Sequence, residues 1–236
     1  ELKFDFKAEY VDISVVNSLP REVMLLTLKG LRFSLCDGIG MHNEKVITCL
    51  ELQEIELDDM LPITPYPAAI TCKKSGKPLL LLVLHQFKRN HQRIHVSYSE
   101  LCVGRAVEVE IYEKFLWEIM DFVQSISLEK LESRQDTYAD PDMQVDVMSV
   151  TGLNAHITFQ TDAQSRPKSL PVVSKFGLNF ANIERLPISV LKRWEVRNLK
   201  LKQSVFMRVL ASRISRDFSK QILPMLLSGL SLNLSL

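Results

Sequence analysis

The sequence predicts a mostly β chain with a few helices, and three patterns carry that expectation. Val11, Ile13 and Val15 alternate with Asp12 and Ser14, the period of a strand with one wet and one dry face. The same alternation returns along the chain, enough for about ten strands. Only two stretches carry the helical period: Phe115, Ile119, Phe122, Val123 and Ile126, then Met207, Leu210, Ile214, Phe218 and Ile222.

Taken in order, Leu2, Phe4 and Phe6 alternate with Lys3 and Asp5 and read as the end of an earlier strand. Tyr10–Val16 and Glu22–Phe33 form a hairpin across the turn formers Asn17, Ser18 and Pro20. The return strand is apolar at nearly every position over Val23–Leu28, so it is buried on both faces or buried on one and covered on the other. Cys36–Glu44 holds Gly38 and Gly40; with no third glycine and no helix start, it reads as a hairpin turn, not a phosphate cradle. Val46–Leu57 is a long strand whose phase slips, as a bulge makes it do.

Pro62, Pro65 and Pro67 keep Asp58–Pro67 irregular or extended. Ala68–Cys72 and the apolar run Leu79–Leu84 are short strands. Ile94, Val96 and Tyr98 mark another, and Val107, Val109 and Ile111 one more. A helix over Tyr112–Ile126 follows. A polar linker, 132–142, then divides a first β segment, 1–131, from a second, 143–236. In the second, strands are expected at Val145 and Val147, Leu153–Phe159, Phe176–Phe180, Ile188 and Val190, and Trp194–Phe206. The last helix is Met207–Leu223, with Pro224 placed to kink or stop it.

Two helices cannot cover the dry side of ten strands. Either two sheets cover each other, the commoner arrangement, or a non-protein apolar ligand covers one.

Composition narrows the function. A net charge of +1 argues against a strongly basic nucleic-acid binder. Cys36, Cys49, Cys72 and Cys102 have no close pairing and read as reduced thiols of an intracellular protein. The chain begins at Glu1 without a signal peptide, and Leu79–Leu84 is far short of the roughly 20 residues that span a bilayer. A fragment of a longer soluble or peripheral protein is expected.

No catalytic constellation stands out, so an enzyme is not expected. His85, His91, His95 and Cys102 match no common zinc spacing, and Glu108 with Glu110 reads as a solvated acidic face. Charge is segregated instead. From Glu108 to Asp146 eleven acidic residues stand against three basic ones; from Arg185 to Lys220 ten basic residues stand against two acidic ones. A basic segment entering an amphipathic helix suits an anionic membrane surface; a solvated face, or pairing between the two halves, is the other reading.

The residues also carry a resemblance. Ile13-Ser14-Val15-Val16-Asn17-Ser18-Leu19-Pro20-Arg21-Glu22-Val23-Met24-Leu25-Leu26-Thr27-Leu28 resembles a strand pair of the chorein-type vacuolar-sorting proteins, which are bridge-like lipid transfer proteins. Further segments resemble that family in the same order: Leu50–Pro67, the strand-to-helix passage Val109–Phe122, Met148–Gln160, Phe176–Leu186, and Phe218-Ser219-Lys220-Gln221-Ile222-Leu223. No single motif is specific; the collinear set is. Ser228–Leu236 departs from the residues that follow this last helix in the family.

The resemblance implies the C-terminal end of a long rod. A curved, mainly antiparallel sheet there makes an open hydrophobic groove, in which glycerophospholipids pass between organelle membranes at contact sites. The groove lining expected here is Val11, Ile13, Val15, Ile94, Val96, Val107, Val109, Leu153, Ile157, Phe159, Leu178 and Phe180, with Arg208, Arg213, Arg216 and Lys220 close to the membrane. Phospholipid is cargo, and neither cofactor nor metal is expected. The partners implied are phospholipid, an intracellular membrane surface, the rest of a longer chain and possible adaptor proteins, with a cytoplasmic, peripheral location. The competing expectation is a β-sandwich adaptor module of a membrane-trafficking scaffold.

Overall fold

The structure is a computed structural model that describes residues 2–17, 20–39, 45–72, 75–87, 93–125, 140–162 and 182–232. In chain order the elements are β1 (Leu2–Val16), β2 (Glu22–Ile39), β3 (Lys45–Leu52), β4 (Glu54–Asp59), β5 (Ala68–Cys72), β6 (Leu80–Phe87), β7 (Arg93–Val103), β8 (Val107–Tyr112), α1 (Glu113–Ser125), β9 (Asp142–Gln160), β10 (Ile183–Lys202) and α2 (Gln203–Leu232). All ten strands belong to one curved sheet.

The long strands organise it. β2 pairs with β1 on one edge; on the other it meets β4 through Met24–Lys29 and β3 through Arg32–Ile39. β9 pairs with β10 on one edge; on the other it meets β7, then β8. Between β2 and β9, β6 bridges β3 to β7, and β5 bridges β4 to β8. The sheet is antiparallel except where β9 runs parallel to β7 and β8.

One transverse seam crosses the sheet, interrupting some strands and distorting others. Gly30 of β2 has φ of 64° there, Gln53 separates β3 from β4, Gly104 follows β7, and Leu191 of β10 has φ of 54°. Backbone bonds knit the seam: the Gln53 N–H donates to the Lys29 carbonyl (3.1 Å), the Leu79 N–H to the Leu52 carbonyl (2.9 Å) and the Gly104 N–H to the Leu79 carbonyl (2.9 Å). The Arg105 guanidinium donates to the Gln53 carbonyl. Glycine is required here by space. A Cβ on Gly30 would lie 2.5 Å from the Gln53 side chain, one on Gly104 2.5 Å from the Pro78 carbonyl oxygen, and one on Gly152 2.3 Å from the Val190 and Leu191 carbonyl oxygens.

The seam explains the slipping phase. Along β1 the apolar residues sit at even positions up to Ala8 and at odd positions from Val11, yet β1 and β2 keep one register across the seam, from Leu2 to Val15. Leu31, Leu52, Leu80 and Val103 from one side of the seam nevertheless pack in one cluster with Leu28, Ile55, Cys72 and Val107 from the other. The change of phase is absorbed in the backbone, and the apolar face is continuous across it.

Several boundaries differ from the expectation. β1 is one strand from Leu2, β2 continues to Ile39 through half of the expected turn, and β9 and β10 are single long strands. α2 begins at Gln203, inside the expected strand, and runs past Pro224. Pro224 has no N–H to donate to the Lys220 carbonyl, so the helix passes it with one bond missing. The expected strand at Phe176–Phe180 and most of the 132–142 linker lie outside the described residues.

Candidate functional site: an apolar sheet face

Register sorts the side chains into rows. Above the seam one row runs Ile13, Leu26, Leu57, Ile70, Val109, Ile157 and Leu186, from one side of the sheet to the other. Below it a second runs Phe6, Phe33, Leu50, Leu82, Leu101, Val150 and Trp194. Every member of both rows is apolar. Exposure is graded along them: Ile13 and Phe6 are 47% and 45% exposed, the middle members are half-buried, and Leu186, Val150 and Trp194 are buried.

Among the described residues, protein covers this face only at its margins. α1 sets Phe115 and Ile119 against Val23, Leu57, Leu61 and Ala69 at one end. α2 sets Phe206 and Leu210 over the buried cluster of β9 and β10.

The opposite face carries paired polar groups among apolar ones such as Leu25, Leu81 and Val83. Thr27 donates to Asp12 (2.7 Å), Lys29 bonds Glu56, and His95 bonds Asp146 (2.8 Å). Glu108 meets His156 at 3.1 Å and Arg185 at 3.5 Å. Burial opposes the charge on Glu108, but the hydrogen bond and charge of His156, joined by Arg185, outweigh it and hold the carboxyl below its usual range. Hydrogen bonds from Gln144 and His95 lower the Asp146 carboxyl likewise. These acids balance bases on a wet face. Among the described residues no group of three or more His, Cys, Asp or Glu could hold a metal ion.

The expected lining residues fall as follows. Val11, Ile13 and Val15, then Val107, Val109, Ile157 and Phe159, share the apolar side above the seam. Leu153 pairs with Val190 beside the seam and is 42% exposed. Ile94 and Val96 lie below the seam in the cluster that α2 covers, and Val96 is packed against protein at 6% exposure. Leu178 and Phe180 lie outside the described residues.

α2 lies along β10, the edge strand, but not by the expected stripe. Its sheet-facing side is Phe206, Leu210, Arg213, Asp217 and Gln221. Met207, Ile214 and Phe218 are exposed, and the side chain of Ile222 lies outside the described residues. The reason is the edge itself, whose unpaired backbone groups need polar partners. The Gln221 amide accepts from the Ser189 N–H (2.7 Å) and donates to the Ser189 carbonyl (2.6 Å), while Asp217 accepts from the Leu191 N–H (3.2 Å). Arg208, Arg216 and Lys220 are exposed, and Arg213 lies over the Trp194 ring.

Comparison with known proteins adds a second line. The chain is 24% identical over 143 residues to the intermembrane lipid transfer protein vps13B of Dictyostelium discoideum, and 27% identical over 139 residues to vps13F of the same organism. The similarity supports a chorein-like region of the vps13 type. The matches take in 60% and 54% of this chain but only 2% and 3% of those vps13 proteins, so the chain spans a very small part of them. No known family profile matches the chain, and no solved structure does.

Sequence reasoning missed most of the two apolar rows. Leu26, Leu57, Ile70 and Leu186 complete the upper row, and the whole lower row was unassigned. β2 is apolar on both parities and β6 is a continuous apolar run, so neither reveals which side faces which; only pairing does. No helix among the described residues is long and apolar enough to cross a membrane.

Proposed function

We propose that this chain is one length of the conduit of a bridge-like lipid transfer protein, which conducts glycerophospholipids along its apolar face between organelle membranes at contact sites. The observation that carries the reading is the pair of unbroken apolar rows, exposed at β1 and covered among the described residues only at their margins. The printed names of the vps13 relatives support it. Each CH₂ taken from water contributes about 0.8 kcal/mol wherever it lies along such a surface. Many equal, weak contacts retain a lipid without fixing it in one place, which is what sliding needs. The role asks for no covalent chemistry and no cofactor; phospholipid is the cargo.

In this reading the partners are phospholipid, the rest of a longer chain, an intracellular membrane surface near Arg208, Arg213, Arg216 and Lys220, and adaptor proteins. The location is cytoplasmic and peripheral. A β-sandwich adaptor module is the weaker reading, because all the described strands lie in one sheet and no second sheet faces it.

The test is organic-solvent extraction of the purified chain beside its Val109→Asp, Ile157→Asp double variant. These residues are paired neighbours in the upper row. The wild type is expected to release phospholipid in stoichiometric amount, and the folded variant far less. A wild type that releases none, or a variant that releases as much, would remove the basis of the proposal.

A further inference from the structure

The lower apolar row ends at Trp194, and beside that end β10 and α2 form an open hollow of about 350 Å³. Its lining is Trp194, Arg208, Val209, Ser212, Arg213 and Arg216. Arg208, Ser212 and Arg216 are spaced by four, so they stand above one another on one face of the helix. Arg213 lies between that ridge and the sheet, its guanidinium carbon 5.5 Å from the centre of the Trp194 ring. Its Nε is buried and has no hydrogen-bond partner among the described residues.

The nearby acids are engaged elsewhere. Asp217 accepts from the Leu191 N–H, and Glu195 pairs with Arg197 at 2.5 Å. Among the described residues none of the three hollow-lining arginines makes an ion pair. Three arginines and a serine thus line one hollow, next to the end of the lower apolar row. A ligand that satisfies both must be an amphiphile with an oxyanion at its head. Guanidinium groups match phosphate oxygens in geometry as well as charge.

We propose that Arg208, Ser212, Arg213 and Arg216 receive the phosphate diester of a phospholipid whose acyl chains lie along the row ending at Trp194. The proposal rests on the conduit reading above and goes beyond it: the apolar face takes any acyl chain, whereas this corner recognises the head. A phospholipid is therefore held by its phosphate at the β10 end of the face.

The test titrates the chain with short-chain phosphatidylcholine, with diacylglycerol of the same acyl length and with inorganic phosphate. The readout is Trp194 fluorescence in a Trp117→Phe background. The expected result is saturable binding of phosphatidylcholine, tighter than of diacylglycerol. Arg208→Gln with Arg216→Gln should weaken phosphatidylcholine about tenfold, toward the diacylglycerol level, by removing two charge-assisted contacts. Arg21→Gln with Lys77→Gln, which removes the same charge from exposed positions elsewhere, should change neither.

Equal affinity for the two lipids in wild type and variant would overturn the headgroup proposal and leave the conduit reading standing. So would equal weakening by the distant charge variant. Inorganic phosphate binding as tightly as the phospholipid would make the corner a free-phosphate site and overturn the proposal. Binding of neither lipid would overturn both readings together.

Discussion

Replacing Gly152 with alanine would drive a methyl group into the backbone of β10. The new Cβ would lie 2.3 Å from the carbonyl oxygens of both Val190 and Leu191, and 2.5 Å from the Leu191 carbonyl carbon. All three atoms are backbone, so no side chain can swing away; β9 or β10 must shift where their pairing already changes register. Overpacking of this kind costs about 1–3 kcal/mol. In a chain of this length each kcal/mol lowers the melting temperature by about 2–4 °C. Gly152→Ala should therefore melt roughly 2–12 °C below wild type. Gly76→Ala is the control: nothing lies within 4 Å of its Cβ, and it should be neutral or slightly stabilising. Thermal denaturation followed by far-ultraviolet circular dichroism decides it. A Gly152→Ala protein that melts with Gly76→Ala would refute the close approach of strands at the seam.

Further outcomes follow from the edge and the wet face. Asp217→Ala with Gln221→Ala should cost about 1–3 kcal/mol by removing the partners of Ser189 and Leu191. It should also raise concentration-dependent association through the freed β10 edge, read by light scattering; unchanged melting and scattering would contradict the capping role. Glu108 and Asp146 are both held below their ordinary values of 4.5 and 3.8, so the unfolded chain binds more protons in acid. Their stabilisation is complete above those values and is lost as pH falls through the lower folded ones; Glu108→Gln should flatten the acid limb of a melting profile. At the other extreme, a hydrogen bond to Asp162, then burial and the nearby carboxylates, push the Tyr112 phenol up to about 12. The folded chain keeps a proton that the unfolded chain loses near 10, so stability should fall as pH rises between those values, and a Tyr112→Phe protein should lack that part of the fall.

Element types were legible where the pattern was strict. The alternation of Val11, Ile13 and Val15, and of Val107, Val109 and Ile111, placed β1 and β8 because each has one wet face and one dry face. The stripe Phe115, Ile119 and Phe122 placed α1 within a residue of its ends. The slipping phase of Val46–Leu57 marked a break, which the structure puts at Gln53. What could not be read was that this break is one member of a line crossing the sheet. Gly30, Gly104 and Gly152 stand far apart in sequence, and only pairing brings them together.

The face of α2 was misread for a related reason. Hydrophobic periodicity selects Met207, Leu210, Ile214 and Phe218, but an edge strand is covered by groups that satisfy its amides. Asp217 and Gln221 are therefore turned inward while Met207 and Phe218 stay exposed. Apolar runs such as Leu80–Leu84 hide the site in the same way, because without register an apolar residue names no face.

The account rests on which face meets lipid, and photo-crosslinking measures that directly. The chain is loaded with a phospholipid carrying a diazirine in its acyl chain, irradiated, digested and mapped by mass spectrometry. Adducts are expected on the apolar rows, at residues such as Leu26, Ile70, Val109, Ile157, Phe33 and Leu82. The paired polar face, at Thr27, Glu56, Thr71, Glu108 and His156, should carry none. Adducts spread equally over both faces, or confined to the polar one, would contradict the claim that this sheet holds acyl chains.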